Sequence, residues 1–144
     1  MCLKVKEKFV AEKDIVVYKL GYISQIYKSM YVSLYRNAWI LFNKLYKDPL
    51  YVSSECNPYF INGTPYIFEG FLHSCINLEK ANRIIEDEFL KADGNPVGAK
   101  AFKAIIPKGS VGYYGENEDI CSNKIIILNP ELDSYKKLPD KYQL

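Results

Sequence analysis

At 144 residues, with 49% hydrophobic and 25% charged residues, the chain has the composition of one globular domain, and a second core would leave each half too small to be comfortably stable. Disorder, collagen and coiled coil are excluded as descriptions of the whole. Lys plus Arg exceeds Asp plus Glu by only two (19 against 17), too little for the positive field of a general nucleic-acid binder, so any phosphate binding is expected to be local.

Residues 1–10 alternate charged with apolar side chains where a signal peptide carries a continuous apolar core, and no run approaches the roughly 20 residues needed to span a bilayer. The expectation is a cytoplasmic protein without a membrane partner. Cys2, Cys56, Cys75 and Cys121 form no CxxC pair and His73 is the single histidine, so neither zinc nor any other metal or cofactor is expected. Reduced, partly buried thiols fit that compartment better than disulfides.

In chain order, Ile15-Val16-Val17-Tyr18 predicts a strand ending near Gly21. Residues 22–46 hold many tyrosines and few breakers, and 39–45 fits a short helix or an alternating strand equally well. Turn formers fill 47–65 (Asp48-Pro49, Asn57-Pro58, Asn62-Gly63-Thr64-Pro65), predicting a loop region with an edge hairpin. Residues 66–71 return to strand chemistry, with Gly70 at a bulge or close approach.

A helix over about 77–91 follows: Asn77 caps it, Leu78, Ala81, Ile84, Ile85 and Phe89 recur at spacings of three and four, and Gly94 and Pro96 lie beyond its end. Residues 99–106 predict a strand with Phe102, Ala104 and Ile106 on one face, stopped by Pro107. Ile125-Ile126-Ile127-Leu128 predicts a central strand buried on both faces, and the tail from 129 is polar and belongs on the surface. The order predicts an α+β domain: a mixed, mostly antiparallel sheet with one principal helix packed on a face.

Three stretches can carry chemistry. In Pro107-Lys108-Gly109-Ser110-Val111-Gly112-Tyr113-Tyr114-Gly115, glycines let backbone N–H groups approach an anion, Lys108 adds charge, Ser110 a hydroxyl, and Tyr113 and Tyr114 offer faces for a base. The spacing is not that of a Walker loop, and a tight turn between strands flanked by packed tyrosines is the competing reading. His73-Ser74 stands between a strand and the capped helix, where anions are often held, although a lone histidine also serves as a structural hydrogen-bonding residue. Tyr18-Lys19 and Tyr35-Arg36 join a cation to a ring, suiting a phosphate and a base, or equally a solvated sheet surface. The acidic residues at 86–88 and at 116, 118 and 119 show no spacing for a metal or an acid/base pair.

The opening Met1-Cys2-Leu3, Asp14-Ile15-Val16-Val17-Tyr18-Lys19, Tyr35-Arg36, Gly70-Phe71 with His73-Ser74, Ile106-Pro107-Lys108-Gly109, Tyr113-Tyr114 with Gly115, and Ser122 are spread over most of the chain. In this pattern the chain resembles a group of small proteins from gut bacteria and their phages. That resemblance names no reaction and implies an accessory, phage-encoded role in the bacterial cytoplasm. The succession of a basic residue on an early strand, a serine on a middle strand and a glutamate before a late strand also resembles the ADP-ribosyltransferase fold. This second resemblance implies an NAD cleft formed by Tyr18-Lys19, residues 71–75 and residues 118–127, with Lys19 standing where that fold has Arg or His and no Glu-x-Glu before the last strand.

The sequence therefore predicts non-enzymatic binding or sequestration of a small phosphorylated or nucleotide-like ligand. Lys19, Arg36, His73, Ser74, Lys108, Gly109, Ser110, Tyr113 and Tyr114 are the expected contacts, and an anti-defence phage protein is the expected setting. An NAD-directed ADP-ribosyltransferase-like enzyme and a protein-interaction module are the alternatives. The tyrosines at 18, 22, 27, 31, 35 and 46 exceed what a small core buries and predict a homodimer, with Arg36 of one copy facing the Lys108 loop of the other.

Overall fold

Alternating and β-branched stretches dominate the chain, and a computed structural model, which describes residues 3–23, 30–33, 39–41, 50–54, 58–67, 72–90 and 100–128, builds them into strands. In chain order these are β1 (Leu3–Val10), β2 (Ile15–Ile23), β3 (Met30–Ser33), β4 (Trp39–Leu41), β5 (Leu50–Ser53), β6 (Tyr59–Ile61), β7 (Thr64–Ile67), β8 (Leu72–Cys75), β9 (Lys100–Ile106), β10 (Val111–Gly115), β11 (Asp119–Ser122) and β12 (Lys124–Ile127). They share one sheet in the order β5-β12-β9-β2-β8-β11-β10-β1-β7-β6, with β3 on β2 and β4 on β3. Among the described residues the fold is largely β, with one short α-helix.

Of the expected mixed, mostly antiparallel sheet, the antiparallel character is what the described residues show, every pairing among them being antiparallel. Parallel neighbours need a crossover of a dozen or more residues, whereas the links at 62–63 and 116–118, which join paired strands, are only two and three residues long. The segment 39–45 resolves as strand over Trp39–Leu41, and an edge hairpin does occupy 59–67. Gly70 lies outside the described residues. The strand β1, which the sequence reading passed over, pairs with β10 through a bulge between Val5 and Glu7.

Three tight links join strands that are not neighbours: 11–14 between β1 and β2, 107–110 between β9 and β10, and Asn123 between β11 and β12. They act as corners where the chain crosses from one half of the sheet to the other, and they are bonded to one another. Ala11 N donates to Ser110 O (2.8 Å), Gly109 N to Ala11 O (2.7 Å), and Asn123 N to Val111 O (2.9 Å). The folded-over sheet encloses one apolar cluster of Val17, Phe102, Ala104, Ile106, Ile120, Ile125 and Ile127, with Phe9 and Tyr114 against it. Phe102, Ala104 and Ile106 thus share a face as their period of two requires. Ile126 points to the other side with Ile105 and Leu128, so β12 is buried on both faces, one strand in from the β5 end.

Asn77 starts the helix: its side chain accepts from Glu79 N (2.8 Å) and Lys80 N (3.3 Å), two of the donors a helix start leaves unbonded. The expected helix over 77–91 is shorter as an α-helix. Only α1 (Leu78–Ile84) has that winding, and Ile85–Leu90 continue as a π-helix beyond the adjacent β-branched pair Ile84-Ile85, whose crowding disfavours tight winding. Ala81 and Ile85 are buried in one cluster with Leu20 and Cys75.

Candidate functional site

The predicted contacts separate into three places. The Lys108 stretch is a corner turn whose groups are engaged within the protein. Lys108 N donates to Asp14 Oδ1 (2.8 Å), Gly109 N to Ala11 O, and Ser110 N to Pro107 O (3.0 Å). Ser110, fully buried, also donates its hydroxyl to Pro107 O (2.6 Å). Gly109 is glycine because its φ is +87°. Gly112 is glycine because a Cβ there would strike Cys121 O and the Phe9 ring. Tyr113 is buried beside Leu3, Ile67 and Cys121, and the half-buried Tyr114 ring lies 4.6 Å from that of Phe9. This geometry is that of the tight turn flanked by packed tyrosines; the Lys108 side chain itself is exposed.

Lys19, His73 and Ser74, read as separate candidates, come together at a fork in the sheet. Among the described residues β2 gives one edge to both β8, at Tyr18↔Cys75, and β3, from Gly21 onward, so it changes partner between them. Lys19 Nζ donates to His73 O at 2.8 Å. Its side chain is inward because Lys19 shares the period-two face of Ile15 and Val17 and sits opposite Phe102. His73 Nε2 lies 3.3 Å from Ile67 O, a hydrogen bond that uses the Nε2–H form of the ring. Ser74, facing Ile120, holds a buried Oγ with no hydrogen-bond partner. Lys19, His73 and Ser74 are only 3%, 5% and 2% exposed.

Arg36 lies outside the described residues, as do Tyr27, Tyr35 and Tyr46. Tyr18 and Tyr22 are half-buried.

An open groove of about 510 Å³ runs between α1 and the β10–β11 turn, lined by Lys80, Arg83, Ile84, Asp87, Glu116, Asn117 and Glu118. The helix wall follows from spacing, since positions 80, 83, 84 and 87 fall on one face, opposite the buried Ala81 and Ile85. The turn wall is docked against the helix start by Ile76 N donating to Glu118 O (3.1 Å), and Glu118 adopts φ +58° to make that turn. Asp119 Oδ1 braces it by accepting from Asn117 N (3.2 Å), and Lys4 holds Glu116 in an exposed ion pair at 3.5 Å. The sequence reading missed Lys80, Arg83 and Asn117. The helical spacing was visible, but the meeting of that face with a turn 30 residues later is a property of β8–β11 pairing.

Cys75 lies behind the helix, and burial pushes its thiol above its ordinary range; Asp119 adds to the rise, while Lys80 and Lys19 oppose it. Among the described residues no helix is long and apolar enough to cross a membrane, and no group of three His, Cys, Asp or Glu side chains is placed to hold a metal ion. Compared with protein-family models, curated proteins and solved structures, the chain matches none of them.

Proposed function

We propose that the chain binds, without chemical conversion, a small phosphorylated, nucleotide-like ligand, and that the groove between α1 and the β10–β11 turn receives it. The observation that carries this reading is the pairing of two cationic donors, Lys80 and Arg83, which share their helix wall with Asp87, with the carboxylates and amide of Glu116, Asn117 and Glu118 across an accessible groove of ligand size. A guanidinium fork and an ammonium suit phosphate oxygens, whereas carboxylates suit the donor groups of a sugar diol or an exocyclic amine. A plain anion would meet the acidic wall unfavourably, so the ligand must carry both kinds of group. The reading moves the phosphate away from the Lys108 turn, where the N–H groups of Lys108, Gly109 and Ser110 already have acceptors. In it the helix turns Ala81 and Ile85 inward and presents Lys80, Arg83 and Asp87 to the groove. Sequestration of a nucleotide signal of host defence, in bacterial cytoplasm, is the role that fits the resemblance to phage proteins.

Isothermal titration against cyclic dinucleotides, NAD and ADP-ribose derivatives tests the reading. One member should bind, and Arg83→Ala should weaken it by about 1.5–3 kcal/mol, the scale of hydrogen bonds to charged groups. Silence across the panel overturns it. One observation favours the enzyme alternative: Glu118, placed before the late strand as in the ADP-ribosyltransferase resemblance, lines the groove. Ser74 of the middle strand, however, is buried at the fork. Chromatography of ligand released by denaturation separates the two, since a binding module returns it unchanged and an NAD-directed enzyme does not.

A further inference from the structure

The outermost described strand, β6, carries its apolar residues outside the core. Its three residues are apolar and all exposed: Tyr59 at 61%, Phe60 at 70% and Ile61 at 49%. Among the described residues β6 pairs only with β7, and it ends the strand order. Asn62 and Gly63 both have positive φ (51° and 81°), which makes their turn type I′, and open space surrounds Gly63, so the tip faces solvent. Among the described residues β7 is held to β1 at Leu3↔Ile67 and Lys4↔Tyr66, so the hairpin end at 59–65 lies beyond that pairing.

The turn fixes which backbone groups face outward. It closes with Thr64 N–H donating to Ile61 C=O, and bonded and non-bonded pairs alternate along an antiparallel ladder. Ile61/Thr64 and Tyr59/Tyr66 are therefore bonded pairs, and Phe60/Pro65 is not. Pro65, having no N–H, fits that place. The N–H and C=O of Phe60 then point away from β7, toward the free edge.

We propose that β6 pairs with β6 of a second copy, antiparallel about a two-fold axis through Phe60, and so continues the sheet from one molecule into the next. The residues are self-complementary in this register. Phe60 faces the partner's Phe60 and exchanges both backbone hydrogen bonds with it, and Tyr59 faces the partner's Ile61, an aromatic and β-branched pair of the kind that stabilises cross-strand contacts. No charge lies within 58–61 to be brought against its like. Pro58, with no N–H to offer, stops the ladder after three residues, and the two-fold axis occupies both β6 edges, so this contact closes as a dimer rather than growing into a fibre. The hairpin contributes nothing to the groove beside α1, so this inference does not depend on the ligand reading. It places the expected homodimer at β6 and not at the tyrosines of the first third.

Sedimentation equilibrium of the full chain at micromolar concentrations should give a concentration-dependent approach to twice 16.6 kDa. Phe60→Asp, and independently Ile61→Lys, should return the mass to that of the monomer with circular dichroism unchanged, while Tyr51→Asp, an exposed site on β5, should leave the dimer intact. In a chain carrying Cys2→Ser and Cys56→Ser, Phe60→Cys should oxidise to a covalent dimer, because facing residues of a bonded pair stand about 5.5 Å apart at Cα; Thr64→Cys should not. A wild-type mass of 16.6 kDa at all concentrations overturns the proposal, including the case where that monomer instead pellets with anionic lipid vesicles. A dimer that survives both Phe60→Asp and Ile61→Lys also overturns it.

Discussion

The fork at Lys19 and the groove beside α1 are both lined with cations, hydroxyls or amides, yet they face opposite tasks. At the fork a buried ammonium donates to the His73 carbonyl where β2 changes partners, and the chemistry is used within the sheet. At the groove, Lys80 and Arg83 sit on the outer face of a helix whose inner face is buried, and they line a space open to solvent. Residue type does not distinguish these two uses of a cation. Position on the period does: Lys19 falls on the inward face of a strand, Lys80 and Arg83 on the outward face of a helix.

The largest effect should come from the packing that both regions rest on. Phe102 is 1% exposed at the centre of the main cluster and opposite Lys19, and Phe102→Ala should cost about 3–5 kcal/mol in urea unfolding. A loss under 1 kcal/mol would mean that the two halves of the sheet do not close over this ring. Next, Lys19→Ala should lower stability by about 2–3 kcal/mol, since it strips a charged hydrogen bond from a buried carbonyl. Arg83→Ala should leave stability almost unchanged while reducing ligand affinity. If Lys19→Ala were as stable as wild type, the contrast between the regions would fail. Ser74→Ala sharpens the same point, because removing an unpartnered buried hydroxyl should leave stability level or raise it.

Much of this was legible in the residues, for reasons that can be named. Asn77 with the following 3–4 spacing announced the helix start, Phe102, Ala104 and Ile106 announced a one-faced strand, and the unbroken Ile125 run announced burial on both faces. Each of these signals is local. β1 was missed because three lysines and a glutamate interrupt its apolar positions, and a bulge switches the face they occupy halfway along. The Lys108 glycines resembled an anion cradle because φ and close approach demand glycine in a corner turn as they do at a phosphate. The backbone partners of Lys108 and Gly109 in the fold, Asp14 and Ala11, lie about 95 residues away in sequence, and only the folded-over sheet brings them there. The groove was invisible for the same reason.

Asn77 links local signal to site, since its cap fixes the first turn of the helix that carries Lys80 and Arg83. Asn77→Ala should cost about 1 kcal/mol, and Asn77→Asp should restore it. Groove affinity should fall with the first change and recover with the second. Affinity that ignores both would show that the helix wall is positioned by Ala81 and Ile85 alone.

The smallest effect tests the wall between the two regions, where Cys75 feels Lys80 from the groove side and Lys19 from the fork side. Burial dominates and raises the thiol above its ordinary 9.0, so the folded protein holds this proton more tightly than the unfolded chain does. Below pH 9.0 both states are protonated, and the contribution of the neutral thiol to stability is fully present. As pH climbs past that value the unfolded chain releases its proton first, and stability falls until the folded thiol ionises too. The wild-type protein should therefore lose stability relative to Cys75→Ala on the alkaline side, measured by urea unfolding between about pH 8 and pH 11. Lys80→Ala removes one of the two opposing cations and should push the thiol further up, extending the loss to higher pH, whereas Asp119→Asn should shorten it. Identical pH profiles for wild type and Cys75→Ala would mean that water reaches the thiol, and that α1 does not seal the fork from the groove.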